Sequence, residues 1–161
     1  MLRGYLMMSL SNSTKPVIAL IISSVVFALL HLMNPGVTVM SIINISLIGA
    51  VLGLYVFRTD NIWGACGIHT AWNFALGSIF GNAVSGMSGN DSIFLTSTVD
   101  RALSGGIFGL EGGICSTVVF VIVLLLVIFI PQKPGPELPA EGPGPVFKVG
   151  ASEDPPSRPE E

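Results

Sequence analysis

A chain of 161 residues that is 50% hydrophobic and only 11% charged, with a formal net charge of -3, has room for one domain and too little polar surface to enclose it in water. Ordinary soluble domains carry about 25% charged residues, whereas residues 16–57, 61–90 and 112–132 here contain no Asp, Glu, Lys or Arg. Composition therefore excludes a soluble enzyme, a nucleic-acid binder and a small disulfide scaffold, and the sequence reads as an integral membrane protein.

The first fifteen residues, MLRGYLMMSLSNSTK, lack the apolar core and small-residue cleavage site of a signal peptide. They read as the end of a partial N-terminal helix. Four apolar spans follow, at about residues 17–33, 37–57, 62–84 and 114–130. Each is long enough as a helix to cross a hydrocarbon core of about 30 Å with modest adjustment. Continuous apolar runs without period-2 alternation favour helix over strand. The expected fold class is an all-α membrane protein, a bundle of about four complete transmembrane helices plus the partial helix.

Lys15, Arg58 and Lys133 fall on one side of this topology, and Arg101 with Asp91, Asp100 and Glu111 on the other. The positive-inside rule then places both termini in the cytoplasm. Residues 85–113 form a long Gly- and Ser-rich connection with a short helix around residues 97–103, of a length expected to be functional or mobile. The carboxylates Asp60, Asp91, Asp100 and Glu111 are expected in loops near the membrane faces. A tail over residues 131–161 holds nine of the eleven prolines and six of the ten acids. It reads as a solvated, disordered segment outside the domain of residues 1–130. Two GxxxG patterns, Gly49 to Gly53 and Gly77 to Gly81, are expected to pack helices within the bundle. Cys66 and Cys115 lie in apolar runs and read as buried free thiols.

Polar groups inside a bilayer are expensive, so those present need a reason. Both histidines of the chain are in apolar spans. His31 ends the run Phe27-Ala-Leu-Leu-His31, where Phe27, one turn away, packs the imidazole. His69 opens the run His69-Thr-Ala-Trp-Asn73, whose i,i+4 spacing puts His69 and Asn73 on one helix face. Imidazole and carboxamide in a low-dielectric site suit proton transfer or stabilisation of an oxyanion. The plainer alternative is interhelical hydrogen bonding. Two histidines also allow a divalent metal such as zinc, although a catalytic zinc normally has three protein ligands. Asn73 is a poor third ligand, and no certain cofactor follows.

The pairing of Phe27xxxHis31 with His69xxxAsn73 resembles the CPBP family, the CAAX prenyl proteases and bacteriocin-processing enzymes of the Abi group. The run Thr59-Asp60-Asn61-Ile62-Trp63 looks like the lead-in to that family's third motif. The segment Gly105 to Gly113, with Glu111 inside it, looks like the loop before the last span of many bacterial members. Arg3-Gly4-Tyr5-Leu6 matches the end of the family's first motif, EExxxR, whose paired glutamates would fall just before Met1 and are not among these residues. The resemblance implies an intramembrane, metalloprotease-like endopeptidase of bacterial plasma membranes, acting on membrane-associated or lipidated peptides, with the bilayer as its other partner and no nucleic acid. It implies that a glutamate activates water, that His31 assists it, and that His69 and Asn73 polarise the scissile carbonyl. Arg3 takes a supporting role, either structural or snorkelling to water from the helix end.

Without its glutamates the chain is expected to be impaired, and a start assigned too late is the favoured explanation over a true truncation. A helix ending near Ser11 would bring the missing pair about 20 Å above that end, level with His31 about 21 Å above Val17. His69, about 10 Å above Ile62, is expected to sit less deeply. Two other classes compete: a non-catalytic membrane scaffold or bacteriocin-immunity-type binding protein and, more remotely, a proton-coupled transporter.

Overall fold

The computed structural model describes residues 2–89, 91–96 and 100–131. It is all-helical, with no strand among the described residues beyond an isolated bridge between Val84 and Met87. A π-helical turn, Leu2–Leu6, runs into α1, Met7–Ser13. There follow α2, Pro16–Leu29, and α3, Val39–Thr59. The next helix, α4, Ile62–Phe74, continues as a π-helical segment, Ala75–Ile79. A short α5, Arg101–Ser104, precedes α6, Ile114–Ile128.

The helix boundaries follow local chemistry. Pro16 opens α2, where its missing N–H costs nothing. Thr38 and Ser41 cap α3 reciprocally: Thr38 Oγ1 accepts from Ser41 N at 3.1 Å and Ser41 Oγ from Thr38 N at 2.7 Å. Asp60 takes a left-handed conformation at the end of α3, and Asn61 Oδ1 caps α4 by accepting from Gly64 N at 2.9 Å. A two-residue connection makes α3 and α4 neighbours.

Four full-length spans were expected, but only α3, with 21 residues, is long and apolar enough by itself to cross a membrane. Helices α2 and α6, of 14 and 15 residues, are shorter apolar helices. The span expected to end at Met33 loses its α geometry after Leu29. His31 N, Leu32 N and Asn34 N then bond three residues back in a tightened turn. Pro35 disfavours helix at Asn34, and Gly36 at φ 70° completes the reversal. The third span gives way at Gly81, where φ is 64°.

Helix α3 forms the centre, packing against α2 on one side and α6 on another. Ile48, Val51, Leu52 and Val56 of α3 are buried with Met7, Ala19, Ala65, Phe120 and Val127. Large apolar side chains also cover the outside: Val17, Ile21, Leu125, Leu126 and Phe129 are exposed. Both cysteines, expected to be buried, are exposed on this apolar surface.

The two GxxxG patterns part company. On α3 they act as expected. A Cβ at Gly49 would lie 2.7 Å from Arg3 Nη2 and 3.3 Å from Ser24 Cα, and one at Gly53 would meet Leu20 and Met7. Gly77 to Gly81 instead spans the end of the π-helical segment, and Gly81 serves the turn.

The long connection is folded back onto the bundle. Phe108 is fully buried beside Ala28 and Ile45, and its carbonyl accepts from Gly86 N at 2.9 Å. Gly109, at φ 88°, lies so close to Ala83 O that no Cβ would fit. Of the helix expected around residues 97–103, Arg101–Ser104 forms, with Asp100 Oδ1 capping it. Residues 97–99 and the expected tail beyond Pro131 lie outside the described residues.

Asn44, fully buried in α3, ties down the end of this connection. Its Nδ2 donates to Glu111 O at 2.8 Å and Gly113 O at 2.9 Å, while its Oδ1 accepts from Thr117 Oγ1 at 2.7 Å. Asn44→Leu leaves two buried carbonyls without this donor and is expected to cost about 2–4 kcal/mol. Limited proteolysis should then cut between residues 105 and 113 before the helices melt; an unchanged cleavage pattern would contradict this anchoring role.

Candidate active site

Arg3 enters the bundle instead of snorkelling. Its Nη1 donates to Ser23 Oγ at 2.8 Å and Ser24 Oγ at 3.4 Å. Both serines pass the bond on to Leu20 O, at 3.1 and 2.7 Å. The guanidinium carbon lies 5.3 Å from the centre of the Phe27 ring, within cation–π range. The space is supplied by Gly49. Arg3 Nη2 is buried without a hydrogen-bond partner.

Phe27 is the hub of the site. Its ring centre is 4.9 Å from that of His31 and 5.8 Å from that of His69, edge-on to both. The expected packing of Phe27 on His31 is present, and the same ring also contacts the second histidine. His69 thus reaches the level of Phe27, one turn from His31, despite its shorter rise from the start of α4.

The hydrogen bonds fix what each ring can offer. His31 Nδ1 lies 2.8 Å from Phe27 O. A carbonyl only accepts, so Nδ1 carries the proton and donates, leaving Nε2 as the basic nitrogen of the neutral ring. Asn73 Nδ2 donates to His69 Nε2 at 3.5 Å, and Asn73 Oδ1 is buried without a partner. That pairing puts the proton of neutral His69 on Nδ1. Both His69 and Asn73 are half-buried on the face of α4 predicted from their spacing.

A cavity of about 260 Å³ opens here, lined by Leu2, Arg3, Phe27, Leu52, Ala65, Cys66 and His69 among others. It is apolar except for the arginine and the imidazole. A zinc ion is a poor fit. Among the described residues no group of three His, Cys, Asp or Glu side chains converges as a metal site needs.

Sequence reasoning missed Glu111. Expected in a loop at a membrane face, it is only 4% exposed. Its Oε1 accepts from Trp72 Nε1 at 2.9 Å, and its Oε2 from Ser85 N and Ser85 Oγ, each at 2.7 Å. The signals available were Trp72, a tryptophan in an apolar helix that needs an acceptor, and a lone carboxylate among glycines before an apolar run.

The bundle thus brings two imidazoles to one aromatic ring, with a carboxamide bonded to the second, beside a largely apolar cavity that Arg3 and His69 line. Residues 1–75 match the family model described as type II CAAX prenyl endopeptidase Rce1-like, consistent with a CPBP-family protease. The matched stretch contains Arg3, Phe27, His31, His69 and Asn73, and ends one residue after α4. No curated protein and no solved structure matches the chain.

Proposed function

We propose that this chain carries the histidine and asparagine part of an intramembrane endopeptidase site, hydrolysing peptide bonds of membrane-associated or lipidated substrates. The observation that carries the reading is the contact of one ring, Phe27, with both His31 and His69, at 4.9 and 5.8 Å, beside a cavity reached by Arg3. In this reading α2, α3, α4 with its π-helical extension, and α6 are the spans. Their apolar outer faces meet lipid in a bacterial plasma membrane, with both termini cytoplasmic.

The chemistry needs a carboxylate to take a proton from water. Helices α1 and α2 run antiparallel, with Met7 packed near Ala19 and Leu20, and Arg3 beside Ser23, Ser24 and Phe27. One helical turn before Arg3, this register leads to the level of His31. A glutamate there would face His31 Nε2, which accepts or shares the water proton while Phe27 O holds Nδ1–H. Asn73 Nδ2 and His69 Nδ1–H then supply donors to the oxyanion of the attacked carbonyl. These atoms and the family match are what support the roles given to His31, His69 and Asn73.

The test is cleavage of prenylated and unmodified peptides in detergent. The chain as it stands is compared with one extended upstream by the glutamate pair of EExxxR. The extended form should cleave at least about 10²-fold faster, the usual scale of a general base. Peptide binding with no cleavage by either form would instead favour a non-catalytic binding protein of the scaffold or immunity type.

A further inference from the structure

Glu111 is connected to both halves of the candidate site without belonging to either. One carboxylate oxygen holds Trp72, whose backbone neighbour is Asn73 and which lies three residues from His69 on α4. The indole is gripped further by Phe120 of α6, with ring centres 5.2 Å apart. The other oxygen holds the N–H and hydroxyl of Ser85, a residue kept at φ 49°, in left-handed conformation. Ser85 O in turn accepts from Asn34 Nδ2 at 2.7 Å, and Asn34 N donates to His31 O at 3.0 Å. From a single buried carboxylate, one arm thus runs to the His69–Asn73 helix and the other to the turn bearing His31.

We propose that Glu111 is a positioning residue that sets the separation between His31 and the His69–Asn73 pair. Its own backbone is fixed by Asn44, so the carboxylate is a stationary point to which both arms are referred. Charge-assisted bonds to three N–H and O–H donors are short and directional, which suits this task. Glu111 does not line the cavity and touches no reacting atom, so its effect passes through Trp72 and Ser85. A glutamine in its place has one acceptor oxygen, so it can keep one arm and must present an amide N–H to the donors of the other.

The proposal rests on the proteolytic reading for its kinetic consequence, and the experiment separates the two. The chain contains two histidines and two tryptophans. Its imidazole and indole signals in a nitrogen-15 spectrum of the full chain in micelles are therefore few enough to assign. Glu111→Gln, which can keep only one arm, should shift the imidazole of the arm it gives up: His69 together with the Trp72 indole, or His31. Ser85→Ala, which cuts one donor of one arm and leaves the other arm whole, should shift His31 and leave His69 in place. In the glutamate-extended chain, Glu111→Gln should lower kcat by about 10²-fold, as misplacement of reacting groups does, with KM little changed.

If the Trp72 indole moves while both imidazoles stay, Glu111 is only structural and the proposal is overturned. If Glu111→Gln fails to fold, Ser85→Ala decides: an unmoved His31 signal overturns the proposal, and a shift confined to His31 supports it. If the parent chain cleaves nothing, the proteolytic reading fails, and the imidazole signals still decide whether Glu111 positions the two histidines.

Discussion

His69→Ala, made in a chain that carries the upstream glutamate pair, is expected to lower peptide cleavage by about 10²–10³-fold, the scale of a lost oxyanion donor. His31→Ala should cost about 10²–10⁴-fold, the range of a lost acid–base group, because Nε2 of His31 is the basic nitrogen left free once Phe27 O takes Nδ1–H. Asn73→Ala should cost about 10²–10³-fold, the scale of one lost oxyanion donor. None of these should unfold the protein. The one side-chain hydrogen bond between His69 and Asn73 is long, at 3.5 Å, and both residues are only half-buried. Circular dichroism and thermal melting check the fold, and initial rates check the chemistry. Cleavage by His69→Ala within about threefold of the parent would remove His69 from the mechanism, since such a change is about 0.65 kcal/mol.

The second large effect is on stability. Gly49→Leu forces a side chain into the place of the Arg3 guanidinium and against the backbone of Ser24. Overpacking and loss of the hydrogen bonds from Arg3 to Ser23 and Ser24 should together cost about 3 kcal/mol or more. Gly49→Ala should show the same conflict in milder form, because its Cβ meets Arg3 Nη2 at 2.7 Å. Since the nearest obstacle is that guanidinium, the penalty of Gly49→Ala should shrink in an Arg3→Met background. Denaturant melts of the four chains form a double-mutant cycle that reads this coupling. A penalty independent of residue 3 would mean that Gly49 serves α2–α3 packing alone.

What was legible in the sequence was whatever has a short-range period. The i,i+4 spacings of Phe27 with His31 and of His69 with Asn73 correctly placed each pair on one side of its segment. The apolar runs located helical segments, of which only α3 is long enough by itself to cross a membrane. What escaped is set by contacts between distant residues. Helix ends could not be read from hydropathy, because Leu30, Leu32 and Met33 remain apolar after α2 has tightened into a turn at Leu29. Whether Arg3 is structural or snorkels was not decided by the sequence, because its serine partners are twenty residues and more away. Glu111 looked like a surface carboxylate because its donors, Trp72 and Ser85, lie 39 and 26 residues back along the chain. The partners of Asn44, an isolated amide in an apolar helix, are as remote: carbonyls of a segment nearly seventy residues later accept from its Nδ2.

The central claim is that water is added to a peptide bond at the site around Phe27. The most direct measurement is mass spectrometry of peptides incubated with the glutamate-extended chain in oxygen-18-labelled water. One heavy oxygen in the newly formed carboxylate, appearing with the parent and not with His69→Ala or His31→Ala, is the predicted result. Peptide that binds and returns intact, or product that forms equally with both histidine variants, would contradict it.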